Sequence, residues 1–278
     1  MGEPRVEAVT GRPTAALVPF VGRYDGYLMT GWAPGHHRGL PSQHLTFVVS
    51  LGDPVDVCQQ PGGRQPAVRA QVVLGGLHAS AATIRHDGNQ HGIQVNLRPA
   101  AARALFDLPA GELAHQALDL DDVVPGLGRE VADRVASVDG WAARFAVLDE
   151  VLARRLADRP APPPEVARAW DRLLTAGGNV AVADLAAEVG WSRRHLHQRF
   201  TEELGLAPKT AGRVLRFERA KQLYERADPP PLADIAVACG YYDQAHLTNE
   251  WRELVGASPT VWRDTELPSF QDHAVELG

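Results

Sequence analysis

The sequence predicts an α+β chain: a β-barrel-like N-terminal domain with helices, then an all-α C-terminal domain built from two helix-turn-helix units. Three observations carry that prediction. Before Pro99, short apolar runs alternate with Gly, Pro and Asp clusters, the pattern of strands joined by turns. After Pro99, apolar residues recur at spacings of three or four, the period of a helix buried along one face. Beyond Pro164, one segment occurs twice at an offset of fifty residues.

The expected strands are His44 to Leu51, Val55 to Cys58, Gln71 to Leu77 and His91 to Arg98, separated by stretches such as Gln59-Gln60-Pro61-Gly62-Gly63. A small barrel or sandwich fits them. Helical segments follow at Ala101 to Phe106 and Gly111 to His115. A longer one places Trp141, Phe145, Leu148, Leu152 and Leu156 on one face. That stripe suits either a dimer interface or packing on the chain's own barrel. Pro160 and the consecutive prolines at 162–164 cannot continue a helix and favour an extended spacer. The expected organisation is a domain at 1–157, a Pro-rich linker at 158–164, a second domain at 165–264 and an acidic tail without fixed structure at 265–278.

Composition narrows the function classes. With 45% hydrophobic and 22% charged residues in 278, the chain is neither disordered nor membrane-like, and apolar runs such as Phe47-Val48-Val49 are too short to span a bilayer. Met1 to Thr14 carries neither a secretory nor a myristoylation signal, so a cytoplasmic location and no membrane partner are expected. Two cysteines, Cys58 and Cys239, supply neither a disulfide framework nor a four-cysteine metal site. His36, His37, His44, His78, His86 and His91 contain no H-x-H or H-x-x-x-H pair, and no metal or other cofactor is expected. Lys occurs at 209 and 221 alone while Arg and Ala abound, a bias typical of a bacterial high-GC genome.

The formal net charge of −6 argues globally against a nucleic-acid partner. From 165 to 264, however, thirteen basic residues face fourteen acidic ones, so placement decides. The repeat gives the placement. Ala183-Asp184-Leu185-Ala186-Ala187-Glu188-Val189-Gly190 matches Ala233-Asp234-Ile235-Ala236-Val237-Ala238-Cys239-Gly240. The offset then becomes fifty-one, pairing Leu196 with Leu247, Phe200 with Trp251 and Pro208 with Pro259, so the second turn holds one residue more. Each unit has a small residue for a close helix crossing, Ala186 or Ala236, and a Gly for the sharp turn, Gly190 or Gly240. Ser192 and Asp243 can cap the helices that follow.

At 100° per residue, Arg194, His197 and Gln198 lie opposite the Leu196/Phe200 stripe, where a recognition helix meets bases. Arg suits guanine, Gln adenine, and His offers one bond. Arg193 and Arg199 flank that face and suit phosphates, next to the capping Ser192. In the second unit the same geometry selects Ala245, Thr248 and Asn249, with Gln244 and His246 at the sides; Ala and Thr suit a thymine methyl and Asn an adenine. Fewer strong contacts there, beside the carboxylate of Glu250, which is expected to repel phosphates, predict that the second unit reads sequence less sharply than the first.

These residues resemble the DNA-binding domain of the AraC/XylS family of transcription regulators over about Glu165 to Asp264. The resemblance rests on Leu185-Ala186, Gly190-Trp191-Ser192, Leu196, Phe200, Gly205, Pro208 and Arg216. It continues through Ile235-Ala236, Gly240-Tyr241, Asp243, His246-Leu247, Gly256, Ser258-Pro259 and Trp262-Arg263. It implies two helix-turn-helix units joined by a long helix, about 210–227, entering successive major grooves of double-stranded DNA. Where family members often carry Arg in the second recognition helix, this chain has Asn249.

Residues 17–157 resemble more loosely the sensory or dimerisation domains of such regulators, and His91 to Pro99 resembles an actinobacterial subset. A small-molecule effector and a second copy of the chain are therefore further candidate partners, with Tyr24, Tyr27 and Trp32 as candidate ligand contacts. An enzyme is the rival class, yet no G-x-S-x-G, P-loop, G-x-G-x-x-G or H-E-x-x-H sequence supports it. A protein-interaction adaptor is a third reading, separable by salt-dependent DNA binding.

Overall fold

The computed structural model describes residues 4–156 and 161–266 and the backbone of 274–276. The expected linker therefore falls partly outside the described residues, as do 267–273 and 277–278 of the expected tail.

Nine strands come first: β1 (Arg5–Gly11), β2 (Val21–Thr30), β3 (Gly35–Gly39), β4 (Leu45–Ser50), β5 (Val55–Gln59), β6 (Val68–Ala70), β7 (Val72–Gly75), β8 (Ala82–His86) and β9 (Gln90–Leu97). Then follow α1 (Ala101–Phe106), a 3-10 turn at Ala110–Leu113, β10 (Ala117–Asp119), α2 (Leu120–Val123), α3 (Leu127–Ala136) and α4 (Trp141–Arg155). The strands form two open sheets, ordered β10-β7-β4-β9-β2-β1 and β3-β8-β5-β6. β4 pairs antiparallel with β9, Phe47 opposite Val95 and Val49 opposite Ile93. Because side chains alternate along a strand, these four residues turn one way into the core, whereas Thr46, Val48, Gln94 and Asn96 turn the other way and line a cavity.

The core face of the larger sheet is covered by α1, α3 and α4. Phe145, Leu148, Val151 and Leu152 of α4 are buried in the main core, and Trp141 lies over Gly26 of β2 so closely that a Cβ there would stand 2.4 Å from its ring. The apolar stripe of this helix is thus satisfied within the chain, which overturns its reading as a dimer interface. The expectation of an unstructured tail also needs correction in part: β11 (Ala274–Glu276) adds a parallel strand to β1, with Val9 opposite Val275.

Among the described residues, seven helices make up the C-terminal region: α5 (Pro164–Thr175), α6 (Val182–Glu188), α7 (Arg193–Leu204), α8 (Pro208–Tyr224), α9 (Leu232–Ala238), α10 (Gln244–Val255) and α11 (Pro259–Thr265). The α+β architecture predicted from the pattern change at Pro99 is therefore present, with sheets that face each other and stay open. One apolar core runs without a break from the larger sheet into the helices. The two regions also meet through polar contacts. Arg103 of α1 forks onto Glu203 of α7, Nε to Oε1 and Nη2 to Oε2 both at 2.7 Å. The backbone N–H of Ala81 donates to Leu254 O at 2.7 Å, and that of Gln43 to Glu218 Oε2 at 3.0 Å. Arg38 pairs with Glu266. Among the described residues, no helix is long and apolar enough to cross a membrane.

Replacing Leu148 and Leu152 together by Asp should therefore unfold the N-terminal region, since it places two unpaired carboxylates in a closed core at a cost of several kcal/mol each. Loss of the cooperative thermal transition by circular dichroism is the expected result; a folded, soluble monomer would return the stripe to a subunit interface.

Candidate nucleic-acid interface

Each repeat folds as the spacing of its residues dictates. Gly190 and Gly240 adopt φ of 73° and 79°, a left-handed conformation that a side chain would strain, and this turns the chain from α6 into α7 and from α9 into α10. Ser192 Oγ accepts from His195 N at 3.2 Å and Asp243 Oδ1 from His246 N at 2.7 Å, so both recognition helices start on the expected caps. Leu196 and Phe200 in α7, and Leu247 and Trp251 in α10, point into the core, where Trp251 meets Phe217 of α8 edge-on at 4.9 Å.

With those faces buried, the opposite faces are presented to solvent. Ser192, Arg193, Arg194, His197, Gln198 and Arg199 are all exposed, as are Gln244, Ala245, His246 and Asn249; Thr248 is half-buried. The polar groups differ in how far they are engaged within the chain. Gln198 and Arg199 both bond Glu202, at 2.9 and 2.8 Å. Arg252 donates to Asn249 at 3.4 Å. His246 is turned back on its own unit: its ring stands edge-on to Tyr241, its Nδ1 accepts from Tyr242 N at 3.4 Å and its Nε2 lies 3.7 Å from Glu250.

Glu250 does not stand on the solvent face beside its predicted DNA contacts. It is 8% exposed and accepts from Arg213 Nε at 3.0 Å and Arg216 Nη2 at 3.2 Å, both on α8. The sequence reading of a carboxylate that repels phosphates is thereby corrected. The residue faces inward because two guanidinium groups neutralise it there. Arg216 also reaches the first unit, donating from Nη1 to Gly178 O at 3.2 Å, while its guanidinium lies 5.6 Å from the centre of the Tyr241 ring. In addition Asn179 donates to Cys239 O at 3.1 Å, joining the loop before α6 to the end of α9. Sequence spacing could not reveal these links, since the hydrogen-bonded partners are more than thirty residues apart.

A cavity of about 1150 Å³ lies between the two sheets. Its walls are Tyr27, Met29, Thr46, Val48, Gln94 and Asn96 on one side and Val55, Val57, Ile84 and His86 on the other. Glu218 and Lys221 of α8, Glu225 just past its end and Trp262 of α11 contribute to the lining as well, so the helical region forms part of the enclosure. Burial holds His37 and His44 down to pKa values of about 4, which leaves both imidazoles neutral at pH 7. Of the three aromatic candidates, Tyr27 lines this space. Tyr24 does not: its ring stacks on Phe145 at 5.4 Å and its hydroxyl donates to Asp149 at 2.7 Å, on the helix side of the sheet. Trp32 lies just past the end of β2, its backbone N–H donating to Gly88 O, and is not part of the lining. Alternation explains the division, since Tyr24 and Tyr27 are three residues apart and so point to opposite faces. Among the described residues, no three His, Cys, Asp or Glu side chains gather to hold a metal ion.

Comparison with known proteins follows the same division. A family model described as a helix-turn-helix domain matches residues 185–265, and one described as a domain of unknown function (DUF6597) matches residues 10–119. The chain is 32% identical over 172 residues to the probable thc operon regulatory protein of Rhodococcus erythropolis, covering 61% of this chain and 51% of that one. It is 36% identical over 69 residues to YbfI of Bacillus subtilis, an uncharacterised HTH-type transcriptional regulator, covering 25% and 24% of the two chains. The chain thus matches about half and about a quarter of the length of these two relatives. Among solved structures, apo ToxT of Vibrio cholerae shares the fold, with a TM-score of 0.53 at 10% identity over 96% of this chain and 99% of that one.

Replacement of Glu250 by Gln tests its place in this arrangement. It should lower the stability of the helical region by about 2–3 kcal/mol, because two partly buried guanidinium groups lose their counter-charge, and should not tighten DNA binding. Urea unfolding and DNA titration at low salt measure the two effects; unchanged stability with tighter binding to every duplex would restore the repulsion reading.

Proposed function

We propose that residues 185–265, matched by a helix-turn-helix family model, form a DNA-binding domain of the AraC type, and that the whole chain is a transcription regulator that reads double-stranded DNA with α7 and α10. The observation that carries this reading is the pair of capped recognition helices whose apolar faces are buried together while their polar faces stay open. Arg194, His197 and Gln198 on α7 read base edges, and Arg193 and Arg199 hold phosphates beside them. On α10, Gln244, Ala245, His246, Thr248 and Asn249 form a weaker surface, short of cations, that chiefly positions the domain. The chain acts by binding and not by catalysis, in the cytoplasm. Residues 1–157 are the regulatory domain and 165–264 the DNA-binding domain, divided at 158–164.

The cavity supports a second role for the N-terminal domain, as the sensor of a small-molecule effector. Its size is that of a ligand site, and its lining includes α8, the helix that joins the two DNA-reading units. An effector held between the sheets would therefore touch the element that sets their relation. Homodimer formation is a further proposal and needs a surface other than the stripe of α4.

Selection of bound sequences from a random duplex pool with the intact protein, repeated with candidate metabolites present, tests both roles. Once an operator is in hand, Arg194→Ala should cost roughly 1–3 kcal/mol at one base pair and relax the preference there. Arg193→Ala should weaken binding on all sequences and lower the salt slope by about one. Equal losses on specific and random duplexes for both variants would place Arg194 on the backbone instead.

A further inference from the structure

Tyr242 is the residue by which the second turn exceeds the first. The first unit passes from Gly190 through Trp191 to its cap Ser192, whereas the second passes from Gly240 through Tyr241 and Tyr242 to its cap Asp243. Tyr241 is buried, under Arg216. Tyr242 is 90% exposed, the most exposed large apolar side chain among the described residues. It therefore adds nothing to the packing of the unit, and it stands immediately before the N-terminus of α10.

Its surroundings sharpen the point. His246, a base-contact candidate from the spacing alone, is exposed, but its ring is engaged by Tyr241, Glu250 and the backbone N–H of Tyr242 itself. Arg213 and Arg216 are both committed to Glu250. The α10 surface accordingly offers Gln244, Ala245, Thr248 and Asn249, and the partly engaged His246, with few cations to anchor it, in contrast to Arg193 and Arg194 at the head of α7. A phenol presented at that head can supply what is missing, because Tyr hydroxyls are among the side-chain donors used on phosphate oxygens. It does so without bringing a charge.

We propose that Tyr242 is a DNA-positioning residue: its hydroxyl donates to a phosphate at the edge of the groove entered by α10, and so anchors the second unit. This assignment rests on the reading of α7 and α10 as DNA-binding helices. It differs from an arginine contact in one measurable respect: a neutral donor releases no counterion, so the salt dependence of binding stays as it is.

The test uses the full chain and the duplex it selects from a random pool. Tyr242→Phe, which keeps the ring and loses the hydroxyl, should weaken binding about three- to tenfold, the worth of one ordinary hydrogen bond. The loss should be equal on every duplex, with the slope of log affinity against log salt unchanged. Tyr242→Ala should do about the same, and both variants should melt with the parent protein. Wild-type affinity in Tyr242→Phe with a loss in Tyr242→Ala would overturn the phosphate contact in favour of ring contact with sugar or base. Loss confined to one base pair, or no loss in either variant, would overturn it equally. Failure of the wild-type chain to select any duplex would remove the DNA reading itself and this assignment with it, an outcome distinct from a bound wild type with indifferent variants.

Discussion

The arrangement of the helical region depends on the guanidinium of Arg216. From the middle of α8 it donates to Gly178 O in the first unit and to Glu250 in the second, under the face of Tyr241. An arginine suits this place because its planar fork holds several donors in fixed directions and keeps its charge when partly buried. A lysine would satisfy one partner at a time. The carboxylate of Glu250 in turn is tolerated inside the domain because Arg213 and Arg216 both neutralise it. With Asn179 bonded to Cys239 O, the two units are held as one body, so the relation between α7 and α10 is set by side chains outside the proposed DNA contacts.

The N-terminal region continues this restraint. Arg103 grips Glu203 close to the end of α7, and Ala81 N–H bonds Leu254 O close to the end of α10, so each recognition helix is held at its C-terminal end by the sheet-bearing region. The start of each helix, where the proposed base contacts lie, stays open. Gln43 meanwhile bonds Glu218, whose acidity burial weakens, on the stretch of α8 that also lines the cavity. The same contacts that fix the reading helices thus border the space proposed for an effector, and a change in that space has a short physical route to both units.

Much of this was legible in the sequence, for identifiable reasons. Repetition exposed the helix pairs: Gly190 and Gly240 had to turn, Ser192 and Asp243 had to cap, and Leu196 with Phe200 had to face inward, all consequences of local periodicity. Strands were legible where both faces are apolar or alternate cleanly, as in β4 and β9. β3, which reads Gly-His-His-Arg-Gly, and β2, which carries Arg23 and Asp25, gave no such signal, because polar residues interrupt the apolar alternation of each. Helical periodicity showed that α4 has an apolar face but could not say what covers it; the answer, Gly26 and Tyr24 of β2, lies more than a hundred residues away in sequence. For the same reason the α8 partners of Glu250 were hidden, and an inward carboxylate was taken for an outward one. Residue type alone could not divide the aromatic candidates: Tyr24 is a core residue, and only the strand's alternation separates it from Tyr27, which lines the cavity.

The central claim is that α7 and α10 are held together as one reading head that meets two successive major grooves on one side of the duplex. Hydroxyl-radical footprinting of the intact chain on a selected operator tests it most directly. The account predicts, for one bound chain, two protected patches centred roughly ten base pairs apart on the same face, one turn of DNA. Arg216→Lys should blur that spacing while leaving a patch under α7. A single patch from the wild-type chain, or two patches on opposite faces, would contradict it.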